Sequence, residues 1–201
     1  MNTPDPASPL EFTEFWALRY ADPNERLYTA NINCPHHTTE TLSALFKWKI
    51  GAWLFPRTLD RTLRPHFLSR IEEARALPPY ISAPDFLHIF RDGGPIYRIF
   101  WLHCWHPRRF PIYDQHVHRA MVFIQHGRVE ELGEYSDEAK ITKYLECYIP
   151  FFESFRNVGI PFDLEADGVP VRKVDRALLE FGQAIQIPAS KVPKAGTIST
   201  P

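Results

Sequence analysis

The sequence predicts an all-α fold, and three observations carry the prediction. Stretches with apolar residues at helical spacing recur along the chain, several opened by a Ser, Thr or Asp suited to capping. No pair of alternating strands and no internal repeat interrupts them. Near the middle, Asp92-Gly93-Gly94-Pro95 joins two apolar segments, 86–90 and 96–105, as helix, tight hairpin, helix. Glycine supplies the backbone freedom of the turn, and Pro95 suits the first helical position, where an amide would have no intrahelical partner.

Taken in order, Ser8-Pro9-Leu10-Glu11 has capping-box spacing and opens a helix carrying Phe12, Phe15, Trp16 and Leu18, ended by Asp22-Pro23-Asn24. Residues 25–37 lack a period and read as loop. Thr38 or Thr39 caps a helix with an apolar stripe of Leu42, Leu45, Phe46 and Ile50, and Gly51 stops it. A further helix is expected from Pro65 to Ala76, terminated by Pro78-Pro79. Ser82 caps the first hairpin helix. The second begins at Gly94-Pro95, where free amides and the positive dipole end suit an anion such as phosphate.

After the 107–111 loop, Asp114 is placed to cap a helix starting Gln115-His116-Val117-His118-Arg119. Ser136-Asp137-Glu138 starts the next, with Ile141, Leu145, Tyr148, Phe152 and Phe155 at helical spacing, and Pro150 predicts a kink or break between Glu146 and Pro150. Residues 159–170 read as loop, 171–185 as a last helix with Val174, Ala177, Leu178 and Phe181 inward, and 188–201 as a disordered tail. The expectation is one helical domain over 1–187, with the hairpin unit at about 85–106 and the Asp-bearing segment at 111–126. Its N- and C-terminal helices should close together as one lobe.

Composition narrows the function classes. A net charge of −1 removes bulk attraction to nucleic acid and leaves that role to a local basic patch. Three cysteines, odd in number and widely spaced, argue against a disulfide framework and for a reducing cytoplasm, and they are too few for a four-cysteine iron–sulfur cluster. No apolar run of the roughly 18 residues needed for a membrane span occurs. His103, His106, His116 and His118 cluster in sequence, but His116 and His118 diverge by about 200° around a helix and no cysteine pair supports them, so no metal is expected. A cytoplasmic protein without membrane association, metal or small-molecule cofactor follows.

Residues 85–121 resemble the helix-hairpin-helix core of the DNA glycosylase superfamily that includes endonuclease III. There a Leu-Pro-Gly-Val-Gly-type hairpin precedes an Asp-Thr-His-Val-type segment holding the catalytic aspartate. Laid on that pattern without a gap, Gly94 falls on the second hairpin glycine, Asp114 on the aspartate and His116-Val117 on the His-Val. Asp92 replaces the first hairpin glycine, Arg91 replaces the proline, and Ile96 stands where bifunctional members carry a Schiff-base lysine.

The resemblance implies a two-lobed helical glycosylase fold, double-stranded DNA as partner and base excision in DNA repair. Asp114 would stabilise the sugar cation or activate water, while an ordinary capping role for it is compatible with that. An aliphatic Ile96 offers no nucleophile, so the activity should be monofunctional hydrolysis of the N-glycosidic bond of a damaged, modified or mismatched base. Gly93 and Gly94 amides with Arg98, Arg108 and Arg109 are the candidates for phosphate contact. Tyr113, Trp48 and His116 are the base-pocket candidates, in a protein that must take its base out of the stack. The alternative is a glycosylase-fold protein without catalysis that binds nucleic acid or a protein partner through the hairpin.

Overall fold

Caps set most of the helix starts. In the computed structural model, which describes residues 8–51, 54–157 and 172–185, α1 (Pro9–Ala17) begins where Ser8 Oγ accepts the Glu11 amide at 3.2 Å. A short α2 (Glu25–Thr29) follows, then α3 (Thr39–Ile50), opened by a reciprocal capping box between Thr38 and Thr41 and closed by Gly51 at φ 89°. Next come α4 (Phe55–Thr58), a π-helical turn (Leu59–Leu63), α5 (Arg64–His66), a 3-10 turn (Leu68–Arg70) and α6 (Ile71–Arg75). The hairpin consists of α7 (Ala83–Ile89), capped by Ser82, and α8 (Pro95–Trp105). Asp114 caps α9 (Gln115–His126). A 3-10 turn (Leu132–Glu134), α10 (Asp137–Thr142), a second π-helical turn (Lys143–Tyr148), α11 (Ile149–Asn157) and α12 (Arg172–Ala184) complete the order. No strand occurs among the described residues.

Two expectations need correction. Residues 25–37, read as loop, hold α2, which has too few turns to leave an amphipathic period. The single helix expected over 65–76 is broken into α5, a 3-10 turn and α6. Pro65 donates no hydrogen bond to the carbonyl four residues back, and the chain widens into a π-helical turn immediately before it. The same happens before Pro150, where the expected break is a widened turn at 143–148 and helix resumes at Ile149. The loop at 159–170 and the tail from 188 lie outside the described residues.

Helix α8 runs through the core, with Ile99, Phe100, Trp101, Leu102 and Cys104 all buried. Phe46 of α3 packs on Phe100 at 5.3 Å between ring centroids, and on Phe67 at 5.5 Å. A second aromatic group joins the first and last described helices: Phe181 of α12 lies 5.2 Å from Phe12 and from Trp16 of α1, and 5.7 Å from Phe123 of α9. Gly182 brings α12 onto the first turn of α9 so closely that a Cβ there would stand 1.9 Å from the His116 carbonyl oxygen. The Gly182 carbonyl in turn accepts from Arg119 at 2.8 Å. Among the described residues no helix is long and apolar enough to cross a membrane.

Candidate functional site

Asp114 joins the start of α9 to the end of α3. Its Oδ1 accepts the amides of His116 at 2.9 Å and Val117 at 3.2 Å, the ordinary work of a helix cap. Its Oδ2 accepts from Lys49 Nζ at 2.6 Å. Lys49 follows Leu42, Leu45 and Phe46 by seven, four and three residues, so helical geometry turns it to the buried face of α3. Its side chain is only 8% exposed, and that of Asp114 is 20% exposed. Burial alone would raise the Asp114 pKa, but the Lys49 ammonium, with help from His116 and the Val117 amide, holds the carboxyl below its ordinary value. The result is a group that is a carboxylate at neutral pH, with one oxygen on a cation and part of its surface open.

A second acid belongs to the same cluster. Asp175 of α12 is 2% exposed, and neither carboxylate oxygen has a hydrogen-bond partner. The Ile112 backbone amide influences it, but too loosely to count as a hydrogen bond. Burial pushes its pKa up to about 7, against the opposing charges of Arg172 and Lys49, and the Asp114 charge adds to the rise. Two carboxyls that interact are thus driven apart, Asp114 ionised and Asp175 titrating near neutrality.

Arg172, one turn before Asp175, anchors this end of α12. Its guanidinium donates to Glu25 at 2.8 Å and lies 4.5 Å from the Tyr28 ring centroid and 4.9 Å from that of Trp48. Tyr28 hydrogen-bonds His103 Nε2 at 2.8 Å, while His103 Nδ1 donates to the Phe110 carbonyl at 2.7 Å. Burial, partly offset by that bond, lowers the His103 pKa to about 3, so this histidine is a neutral structural link.

The base-pocket candidates divide. Trp48 adjoins Lys49, and its buried indole nitrogen has no hydrogen-bond partner. His116 is half-buried and feels the Asp114 charge, although burial outweighs it and lowers its pKa. Tyr113 points away into the core, fully buried, with its hydroxyl 2.8 Å from His118 Nδ1 and its ring 4.9 Å from Tyr148. His118 Nε2 in turn faces Glu130 at 3.3 Å, within ion-pair distance but without hydrogen-bond alignment. Among the described residues no group of three or more His, Cys, Asp or Glu could hold a metal ion.

The phosphate candidates are spread over both ends of α8, a helix of 11 residues and so about 16 Å long. Gly93 and Gly94 form the turn at φ 94° and 88°; a Cβ on Gly93 would strike the Phe67 ring at 2.6 Å, whereas Gly94 faces open space. Arg98 is turned inward, its Nε donating to the Phe90 carbonyl at 2.8 Å and its Nη2 to that of Leu87, so it ties the hairpin together. Arg108 and Arg109 are exposed beyond the other end of the helix, with Arg109 donating to the Pro79 carbonyl at 3.1 Å. Basic groups that the sequence did not mark as phosphate contacts, His66, Arg70, His88 and Arg91, line an open groove of 490 Å³ beside Asp92.

Comparison of the chain with family models, curated proteins and solved structures gives no significant match. Lys49 and Asp175 are the residues that sequence reasoning missed, and both had a signal: each is a charged residue at a position where its helix presents an apolar face, Lys49 in register with Leu42 and Leu45, Asp175 beside Val174 and Leu178.

Proposed function

We propose that this chain hydrolyses N-glycosidic bonds in duplex DNA, releasing a damaged, modified or mismatched base, with Asp114 opposite the sugar. The supporting observation is the Asp114 carboxylate itself. Burial would favour its neutral form, yet Lys49 and two backbone amides keep it charged while one-fifth of its side chain stays accessible. A fixed anion beside an apolar core suits a transition state with positive charge on the sugar, and the same oxygen can accept a proton from attacking water. In this reading the helical body divides into two lobes around a cleft facing Gly94 and Asp114. DNA phosphates rest on the Gly93 and Gly94 amides and on the neighbouring basic groove.

Single-turnover assays on a panel of damaged and mismatched duplexes, with abasic sites as the readout, test the proposal. Asp114→Asn should lower base release by about 10²- to 10³-fold. Asn keeps the cap but orphans the Lys49 ammonium, so Lys49→Met/Asp114→Asn is the better-folded control. Release by the Asn variant at the wild-type rate rejects the role. No release by wild type from any duplex favours the binding-only alternative, a hairpin protein without catalysis.

One observation favours a second reading. Ile96 leaves the hairpin without an amine, but Lys49 brings one from another helix to 2.6 Å from Asp114. If that amine passes its proton to Asp114 and attacks the sugar, an imine forms and strand cleavage follows base loss. Borohydride added during turnover should then trap a covalent complex in wild type and none in Lys49→Met. Absence of a trapped complex during active base release returns the enzyme to the monofunctional class.

A further inference from the structure

A cleft of 350 Å³ lies at the C-terminal end of α8, between the non-helical segments 30–38 and 106–110. Clefts of this size hold small organic ligands. Among the described residues that line it, none is acidic and none belongs to the Asp114 cluster, whereas Arg108 and Arg109 both do line it. Its charge therefore suits an anion. The rings of His37, Trp105 and His106 give it flat walls.

Two buried nitrogens of this lining have no hydrogen-bond partner among the described residues. His37 is 7% exposed, and its Nε2 lies 2.9 Å from the Cys104 carbonyl oxygen. A carbonyl only accepts, so the hydrogen sits on Nε2. Burial holds the His37 pKa below its ordinary value, which leaves a neutral ring whose Nδ1 is a bare acceptor. The Trp105 ring stands edge-on to that of His37 at 5.4 Å between centroids, and its Nε1–H is an unpaired donor. An unsatisfied donor and an unsatisfied acceptor on neighbouring rings cost folding free energy, and a ligand that pairs with both removes the cost. The edge of a nucleobase sets a donor beside an acceptor on a flat ring.

We propose that this cleft is a binding site for a nucleoside monophosphate, separate from the Asp114 site and independent of its chemistry. The base edge accepts from Trp105 Nε1 and donates to His37 Nδ1, while the phosphate stays at the rim with the exposed Arg108 and Arg109. Arg109 is already held there, its Nη1 donating to the Pro79 carbonyl at 3.1 Å and its guanidinium 4.8 Å from the Phe110 ring centroid. Both nitrogens are covered in the empty cleft, and the ligand reaches them by side-chain movement of the kind common on binding. The same chemical unit occurs as a free mononucleotide and as the 5′-phosphorylated end of a strand.

Cys34 supplies the readout. It lines the cleft and is partly exposed, its thiol donating to the His36 carbonyl at 3.3 Å, while the exposed Cys147 is an internal control. Alkylation of the full chain by iodoacetamide, followed at both cysteines by peptide mass spectrometry, is measured with dAMP, dCMP, dGMP and dTMP, with a 5′-phosphorylated oligonucleotide, and with inorganic phosphate. A mononucleotide or strand end at about ten times its Kd should slow Cys34 about 10-fold and leave Cys147 unchanged. The arm that protects at lower concentration identifies the source. Arg108→Gln/Arg109→Gln should weaken protection about 10-fold or more, and Trp105→Phe, which keeps a ring but removes the donor, about 3- to 10-fold. Protection by inorganic phosphate as strong as by any nucleotide overturns recognition of the base, and this comparison needs no variant. Protection unchanged in the arginine variant, or in Trp105→Phe, overturns the contact that variant removes. No protection of Cys34 by millimolar nucleotide or by the strand overturns the site.

Discussion

Residue 175 sets a pH dependence that is measurable without substrate. Its folded pKa of about 7 lies above the ordinary 3.8, so its protonated form is favoured in the folded chain. The stability this confers is complete below about pH 4 and is lost as pH rises towards 7, by about 4 kcal/mol for a shift of this size. Asp114 has the opposite sign: its lowered pKa gives stability above the ordinary carboxyl range that is lost as pH falls through the folded value. Denaturant melts of wild type and Asp175→Asn at pH 5 and pH 8 should therefore show the variant gaining relative stability at the higher pH. An unchanged difference between the two would place the Asp175 pKa near its ordinary value. Asp114 was legible as a cap from its place before Gln115. Lys49 and Asp175 were not, because a lone charge in an apolar stripe reads as noise until the facing helices reveal its partners, or the lack of them.

At the scale of elements, side-chain caps were the most readable signal, and Ser8, Thr38, Ser82, Asp114 and Ser136 all accept backbone amides as their spacing suggests. Pro65 was read as the start of a helix and Pro150 as a kink or break, whereas a π-helical turn precedes each of them. No single-residue pattern distinguishes these outcomes, since the choice depends on whether the following helix is held in line by packing. The α9–α12 contact was beyond the sequence altogether. Gly182 sits inside a helix, where glycine is ordinarily unfavourable, and its use appears only against the His116 carbonyl. Gly182→Ala would place a methyl group against backbone that cannot turn aside. A loss of about 3 kcal/mol is expected, seen as a melting temperature lower by about 6 to 12 °C. A stability equal to wild type would mean that α12 can slide on α9 without cost.

For the molecule as a whole, a net charge of −1 means that the DNA binding we propose would rest on a few local contacts. Asp92, Asp137 and Glu138 all act on Arg98 near the hairpin and offset part of the basic groove there. Few phosphates are then engaged, and the logarithm of the binding constant should fall with that of salt with a slope of about −2 to −4. Anisotropy titrations of a labelled duplex at several salt concentrations measure it, and a slope near zero would remove the hairpin from any DNA-binding role. The docking of α12 has a consequence in time. Asp114 and Lys49 belong to the part of the chain made first, and Asp175 is added 61 residues after Asp114. A nascent chain on the ribosome thus holds the anion and its cation well before it holds α12. Contacts so distant in sequence also form late in folding. A chain cut short before α12 would therefore carry the Asp114–Lys49 pair without the helix whose Gly182 packs on the first turn of α9.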